Sequence, residues 1–158
     1  MRHVRPYAKA DLPALLTLFH DTVQAVNSSD YTQAQVNAWA ASALDTDRWA
    51  ANLRTRHTQV CIGEDGKLLG FADLKPDGHL DYLYVHAAYQ RQGIGTRLLT
   101  SIEAIARHER MPVLRTEASL TARSFFEAHG FALLAEQTVW ARGVAFVNFR
   151  MEKEGTRG

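Results

Sequence analysis

Hydrophobic positions follow two different rhythms along the chain. Leu12, Leu15, Leu16, Phe19 and Val23 recur at helical spacing, which predicts a helix to about Val26, with Asp11 as its cap and Pro13 in its first turn. Thr32 with Gln35 forms a capping-box signal for a second helix carrying Val36, Trp39 and Ala40. Asp45 to Thr55 reads as a shorter third helix with Trp49 and Leu53 inward. The period then changes. Thr58 to Ile62, Lys67 to Lys75 and His79 to His86 read as strands, and the turns Glu64-Asp65-Gly66 and Pro76-Asp77-Gly78 make them antiparallel neighbours. Helical spacing returns over Gly95 to Arg107 through Leu98, Leu99, Ile102, Ile105 and Ala106. Met111 to Thr116 predicts a strand, and Thr121 to His129 a helix stopped by Gly130. Phe131 to Ala141 and Val144 to Met151 predict strands around Arg142-Gly143, and Arg2 to Tyr7 can supply a first strand. Early helices, a meander, then helix, strand, helix and a hairpin describe a mixed α/β sheet domain.

Composition narrows the class. The 158 residues predict one domain over 1–158, and 46% hydrophobic content is enough for a core. Lys and Arg number 18 against 17 Asp and Glu, with no long run of either sign, so neither a nucleic-acid nor a membrane surface is expected. Arg54 and Arg56 read as a solvated basic face. The start of the chain has no apolar targeting core, and no stretch is apolar enough to span a bilayer, so a cytoplasmic location is the default expectation. The one cysteine, Cys61, lies in the apolar run Val60-Cys61-Ile62 and reads as a small core residue.

The segment Tyr84-Val85-His86-Ala87-Ala88-Tyr89-Gln90-Arg91-Gln92-Gly93-Ile94-Gly95-Thr96 carries the most chemistry, since it joins a predicted strand to an amphipathic helix. Gly93 and Gly95 let the backbone approach a ligand and turn successive N–H groups toward it, and the helix that follows adds a field suited to a diphosphate. Arg91 can add charge and Thr96 a hydroxyl. The spacing fits neither a Gly-Lys-Ser/Thr phosphate loop nor Gly-x-Gly-x-x-Gly.

This segment resembles the Gln/Arg-x-x-Gly-x-Gly/Ala signature of the GNAT superfamily of N-acetyltransferases, matched by Gln90, Gly93 and Gly95. Leu83-Tyr84-Val85 is similar to that family's fourth strand, and Leu98-Leu99 to the helix after it. Residues Ser119 to Phe131 are similar to the late Asn-x-x-Ala-x-x-Leu-Tyr-x-x-x-Gly-Phe motif. Element order agrees over about residues 2 to 152. The stretches from Tyr31 through Trp39 and from Asn148 to Met151 look most like a bacterial subgroup with poorly defined acceptors. The resemblance implies the α/β (α+β) GNAT fold, a central mixed, mostly antiparallel sheet of about seven strands flanked by helices. It also implies acetyl-CoA as co-substrate, held by Leu83, Tyr84, Val85, Gln90, Arg91, Gln92, Gly93, Ile94, Gly95, Thr96, Ser119 and Phe126.

Acetyl transfer to an amine requires a fixed donor, a deprotonated amine, a stabilised oxyanion and a protonated leaving thiolate. Alternation along the fourth strand would set His79, Asp81, Leu83 and Val85 on one face, which makes Asp81 the leading base candidate and His79 the second. Glu117, at the expected end of the fifth strand, is the third. No His, Cys, Asp or Glu set has metal-ligand spacing, and no nucleophile elbow marks a serine hydrolase. Two positions depart from the family pattern. Phe126 stands where a tyrosine commonly protonates the thiolate, leaving Tyr82, Tyr84, Tyr89 or solvent for that task, and Ser119 replaces the usual asparagine.

The resemblance sets the acceptor between the early helices and the last hairpin, where Tyr31, Trp39, Trp49 and Trp140 could meet an amine. A small-molecule amine and a peptide amine are both open, and so is a homodimer. Two functions stand side by side: an N-acetyltransferase acting on a primary amine, and a coenzyme-A-binding sensor or interaction domain with little transferase activity.

Overall fold

The computed structural model describes residues 2–155. In chain order the elements are β1 (His3–Pro6), α1 (Leu12–Ala25), α2 (Gln33–Ala40), α3 (Thr46–Arg54), β2 (His57–Ile62), β3 (Leu68–Leu74), β4 (Leu80–Val85), α4 (Ile94–His108), β5 (Val113–Ser119), α5 (Arg123–Ala128), β6 (Ala132–Ala141) and β7 (Val144–Glu154). The order matches the sequence reading, and the capping box forms: Thr32 Oγ1 accepts from Gln35 N at 3.2 Å while Gln35 Oε1 accepts from Thr32 N at 2.8 Å. Asp11 behaves differently from expectation. Its carboxylate leaves α1 uncapped and instead accepts from Ala8 N and from both terminal nitrogens of Arg5. Similarly, β5 runs to Ser119 rather than stopping at Thr116, because its ladder with β7 continues to the pair Ser119 and Asn148.

The strands form two antiparallel sheets, ordered β1-β2-β3-β4 and β5-β7-β6. They touch where β4 begins. His79 and Arg115 form a parallel bridge, and Thr116 Oγ1 donates to Leu80 O at 2.8 Å. Gly78 permits this approach: its φ is +92°, and a Cβ there would stand 2.4 Å from Val113 O. Beyond Leu80 no ladder joins β4 to β5 among the described residues, so the two strands part and leave a wedge along a β4 edge that has no strand partner.

Two apolar clusters cover opposite sides. Leu74, Leu80, Leu98, Leu99, Ile102 and Phe126 belong to the one beneath α4 and α5. Leu15, Phe19, Val23, Trp49, Leu53 and Phe71 belong to the one beneath α1 to α3. Full burial of a Leu or Phe side chain is worth about 1.5–3 kcal/mol, so the wedge opens between firmly held walls. The register of β3 against β4 shifts between Ala72 and Leu74. As a result Leu80, Leu83 and Val85 all face the first cluster while Tyr82 and Tyr84 face the second. The alternation expected from His79 to Val85 therefore holds from Tyr82 to Val85 and breaks before it, at Leu80. Cys61 is buried in β2, as expected. No described helix is long and apolar enough to cross a membrane.

Candidate active site

A cleft of about 690 Å³ follows the wedge. It brings together Leu83, Tyr84, Val85, Gln90, Arg91, Gly93, Ile94, Gly95, Thr96, Ser119 and Phe126 with the carboxylate residues Asp81 and Glu117. Gln92 and His79 stand outside its lining. The Gln92 side-chain oxygen instead accepts from the Arg2 guanidinium.

The loop before α4 is shaped by its backbone. Arg91 and Gly93 both take left-handed conformations, with φ of 59° and 81°. Gly93 is the N-cap of α4 and supplies no side-chain cap, so the first helical amides keep their capacity for a ligand. Nothing lies within 4 Å of where a Cβ on Gly93 would be. At Gly95 the reverse holds: a Cβ would stand 3.1 Å from Phe125, so α5 packs directly on the start of α4. Gln90 Nε2 closes the loop onto Val85 O at 2.6 Å. The Thr96 hydroxyl has a protein partner, His129 Nε2, at 3.1 Å. His129 Nδ1 faces Phe125 O at 2.8 Å and must donate there, so with a neutral ring the Thr96 hydroxyl donates to Nε2. Its lone pairs remain for a ligand.

Two acidic arrangements flank the cleft. Arg56 Nη1 donates to Asp73 at 2.6 Å and to Asp81 at 2.8 Å, and its side chain is only 10% exposed, contrary to the solvated face expected. Burial pushes the Asp73 carboxyl up to about 6 despite the guanidinium beside it. Across the foot of the wedge His79 Nε2 meets Glu117 Oε2, and this hydrogen bond lowers the Glu117 carboxyl below its usual range. Both carboxylates line the cleft, Asp81 paired with Arg56 and Glu117 with His79.

Phe126 is buried, packing edge-on against Phe125 and Phe131. Of the tyrosines named as replacement acids, Tyr84 lines the cleft, and burial raises its phenol well above the ordinary value. Tyr82 stacks on Trp49 and is raised likewise, chiefly by burial. Tyr89 lies outside the cleft lining, below Arg2 and Lys67. On the acceptor side only Trp39 of the four expected aromatics lines the cleft. Tyr31 and Trp49 are buried, and Trp140 is 73% exposed.

Sequence reasoning passed over Thr22, Asn27, Asp30 and Thr121, all of which line the cleft. Thr22 left a trace. It is a polar residue on the apolar stripe of α1, beside Val23, and it is 4% exposed.

The sequence profile of the acetyltransferase (GNAT) domain matches residues 27–153. The uncharacterized N-acetyltransferase YafP of Escherichia coli strain K12 is 32% identical over 148 residues, covering 94% of this chain and 93% of that protein. A GCN5-related N-acetyltransferase from Rhodopseudomonas palustris, solved as a crystal structure, superposes with a TM-score of 0.92 at 32% identity, over 98% of this chain and 96% of that one. The PaiA N-acetyltransferase of Thermoplasma acidophilum, solved in complex with coenzyme A, shares the fold with a TM-score of 0.82 at 19% identity, over 98% and 99% of the two chains.

Proposed function

The chain belongs to the GNAT acetyltransferase family, and from that premise we propose that it transfers the acetyl group of acetyl-CoA to a primary amine by direct attack in a ternary complex. The observation that carries this reading is the continuity of the β4 edge that lacks a strand partner with the left-handed loop at Arg91 and Gly93. An extended pantetheine arm needs backbone partners, and a pyrophosphate needs converging N–H groups at a helix start; the cleft offers them in that order. Arg91 adds a positive charge at the phosphate end.

Toward the acceptor the chain supplies negative charge. Glu117, with His79 behind it, takes the proton of the incoming ammonium directly or through a water. Asp81, its charge shared with Arg56, draws the ammonium toward the same wall. The β4 backbone near Leu83 and Val85 polarises the thioester carbonyl while the carbon–nitrogen bond forms and the carbon–sulfur bond breaks. Phe126 has no proton to give, and the raised phenols of Tyr82 and Tyr84 hold theirs, so the thiolate is protonated by solvent or by the proton the amine releases.

Two measurements test the proposal. Calorimetry with coenzyme A should show binding that Gly93→Trp abolishes, and an amine panel with acetyl-CoA should release free thiol. Absence of coenzyme binding up to millimolar levels would overturn the reading. Binding without turnover of any amine would favour a coenzyme-sensing domain instead.

A further inference from the structure

Three carboxylate residues line the cleft, and they are not equivalent. Asp81 is paired with Arg56 and Glu117 with His79, whereas Asp30 has no cation within ion-pair distance among the described residues. Its side-chain contact is the Ser29 hydroxyl at 3.5 Å, and that hydroxyl lies closer to Val26 O, at 2.9 Å. Arg91 is the one basic side chain among the described lining residues, and it stands at the phosphate end. The acceptor half of the cleft thus carries uncompensated negative charge.

Asn27, three residues before Asp30, is 5% exposed, and its side-chain amide has no hydrogen-bond partner among the described residues. Its backbone carbonyl accepts from Asp30 N at 3.0 Å and Tyr31 N at 3.1 Å, which holds Asn27 and Asp30 in one turn. The Asn27 amide is not enclosed: among the described residues Thr121 Oγ1 is the one side-chain oxygen or nitrogen that is both sealed off and unpartnered. An otherwise buried residue therefore keeps polar surface, and the cleft is the cavity it lines. Trp39 lines the same wall, its indole beside the Tyr84 hydroxyl. A carboxylate without a counter-ion, an amide oxygen and an indole ring are groups that together hold an ammonium.

We propose that Asp30, Asn27 and Trp39 form a second ammonium subsite, and that the acceptor is a small diamine, one amine reacting beside Glu117 while the other is held at this wall. The inference rests on the acetyltransferase reading and names its substrate class. Asp30 supplies charge, the Asn27 amide oxygen accepts an N–H, and Trp39 offers an aromatic face. The remote ammonium stays charged throughout and orients the reacting amine. Acetylation turns the reacting end into a neutral amide. A monoacetylated diamine that re-enters the cleft turned around presents that amide to Asp30, and is a poor second substrate.

The test is a charge series at constant length. The α,ω-diamines of three, four and five carbons are compared with the monoamines and ω-amino acids of the same length, by thiol release from acetyl-CoA on the full chain. The expected kcat/KM order is diamine, monoamine, amino acid, with roughly tenfold between diamine and monoamine at the best-fitting length. Asp30→Asn and Asn27→Leu should each bring the ratio of diamine to monoamine toward one, and mass spectrometry should show monoacetylated product ahead of any diacetylated one. Asp30 is exposed, so its substitution reports on charge without disturbing the core. Equal kcat/KM for diamine and monoamine at every length would overturn the proposal, as would a ratio untouched in Asp30→Asn. A peptide with one lysine among neutral residues that outpaces every diamine would overturn it in favour of a peptide acceptor. Absence of thiol release with any amine would instead bring down the acetyltransferase reading. Calorimetry of the same compounds on the chain then tests the subsite alone: tighter binding of the diamine supports it, and equal binding overturns it.

Discussion

Arg56 reaches across from the end of α3 to Asp73, a fully buried carboxylate on β3, at 2.6 Å. The other Asp73 oxygen accepts from Tyr82 N at 2.7 Å, at the point where the β3–β4 register shifts. A side chain thus occupies the acceptor position that a ladder carbonyl would otherwise fill. The pair pins the irregularity that turns Leu83 and Val85 toward α4.

Burial raises Asp73 to about 6, above the ordinary carboxylate value of about 3.9, so the folded chain binds that proton more tightly than the unfolded one. Its stabilising contribution is complete below about pH 4 and is lost as pH rises through about 6. Asp73→Asn should remove this dependence. The stability of wild type relative to Asp73→Asn should fall by on the order of 2–3 kcal/mol between those limits, measured by urea unfolding across the range. A difference that is flat with pH would contradict the assignment.

Glu117 is the group whose loss should hurt turnover most. Glu117→Gln should lower kcat by roughly 10²–10⁴ with little change in coenzyme affinity, and Asp81→Asn should lower it by less than about tenfold. Because His79 holds the Glu117 carboxyl low, His79→Ala should move the acidic limb of kcat/KM to higher pH. Steady-state pH profiles decide it, and a larger defect in Asp81→Asn would return the base to Asp81.

Gly93 and Gly95 should respond differently to alanine. At Gly93 the cost is conformational, about 1–2 kcal/mol for a left-handed residue, with space for the methyl group. At Gly95 the methyl group would stand 3.1 Å from the Phe125 ring, which must give by a few tenths of an ångström. Chemical unfolding should register Gly93→Ala, whereas Gly95→Ala, which introduces a residue the family signature admits, should change coenzyme affinity little by calorimetry.

Phe126→Tyr places a phenol where the cleft borders the buried Phe126 ring. Turnover should rise by about tenfold or more if protonation of the thiolate limits the rate. An unchanged kcat in a folded, coenzyme-binding variant would put the slow step elsewhere.

Tyr31 bridges the turn after α1 to Val147 on β7 and to Leu120 beside the cleft. Tyr31→Phe removes both hydrogen bonds and should cost about 1–3 kcal/mol in thermal or urea unfolding. It should also raise KM for the amine more than for acetyl-CoA, because the wall carrying Asn27 and Asp30 loosens.

Much of this molecule was legible before its fold was described, and the reasons are particular. The Thr32–Gln35 box, the turns at Gly66 and Gly78 and the apolar stripe of α4 are short-range patterns, each requiring only neighbouring residues. The same holds for the loop from Gln90 to Thr96. Arg56 illustrates the limit. Read beside Arg54 it was a surface cation, because Asp73 and Asp81 come close only when β3 and β4 fold against the end of α3. The alternation, kept from Tyr82 to Val85, broke at Leu80 for a related reason: a register shift belongs to the pair of strands, and period counting follows one strand at a time.

By itself the sequence determined the order of elements, the phosphate-type loop and the absence of a tyrosine at Phe126, since periodicity, turn chemistry and residue identity are local. The tertiary structure decided where the cleft opens, which cation or histidine each of its carboxylates Asp81 and Glu117 meets, and that Thr121 Oγ1 is left without a partner. Those outcomes depend on two sheets touching at His79 and Arg115 and then parting, a geometry made by packing α4 and α5 against one side and α1 to α3 against the other.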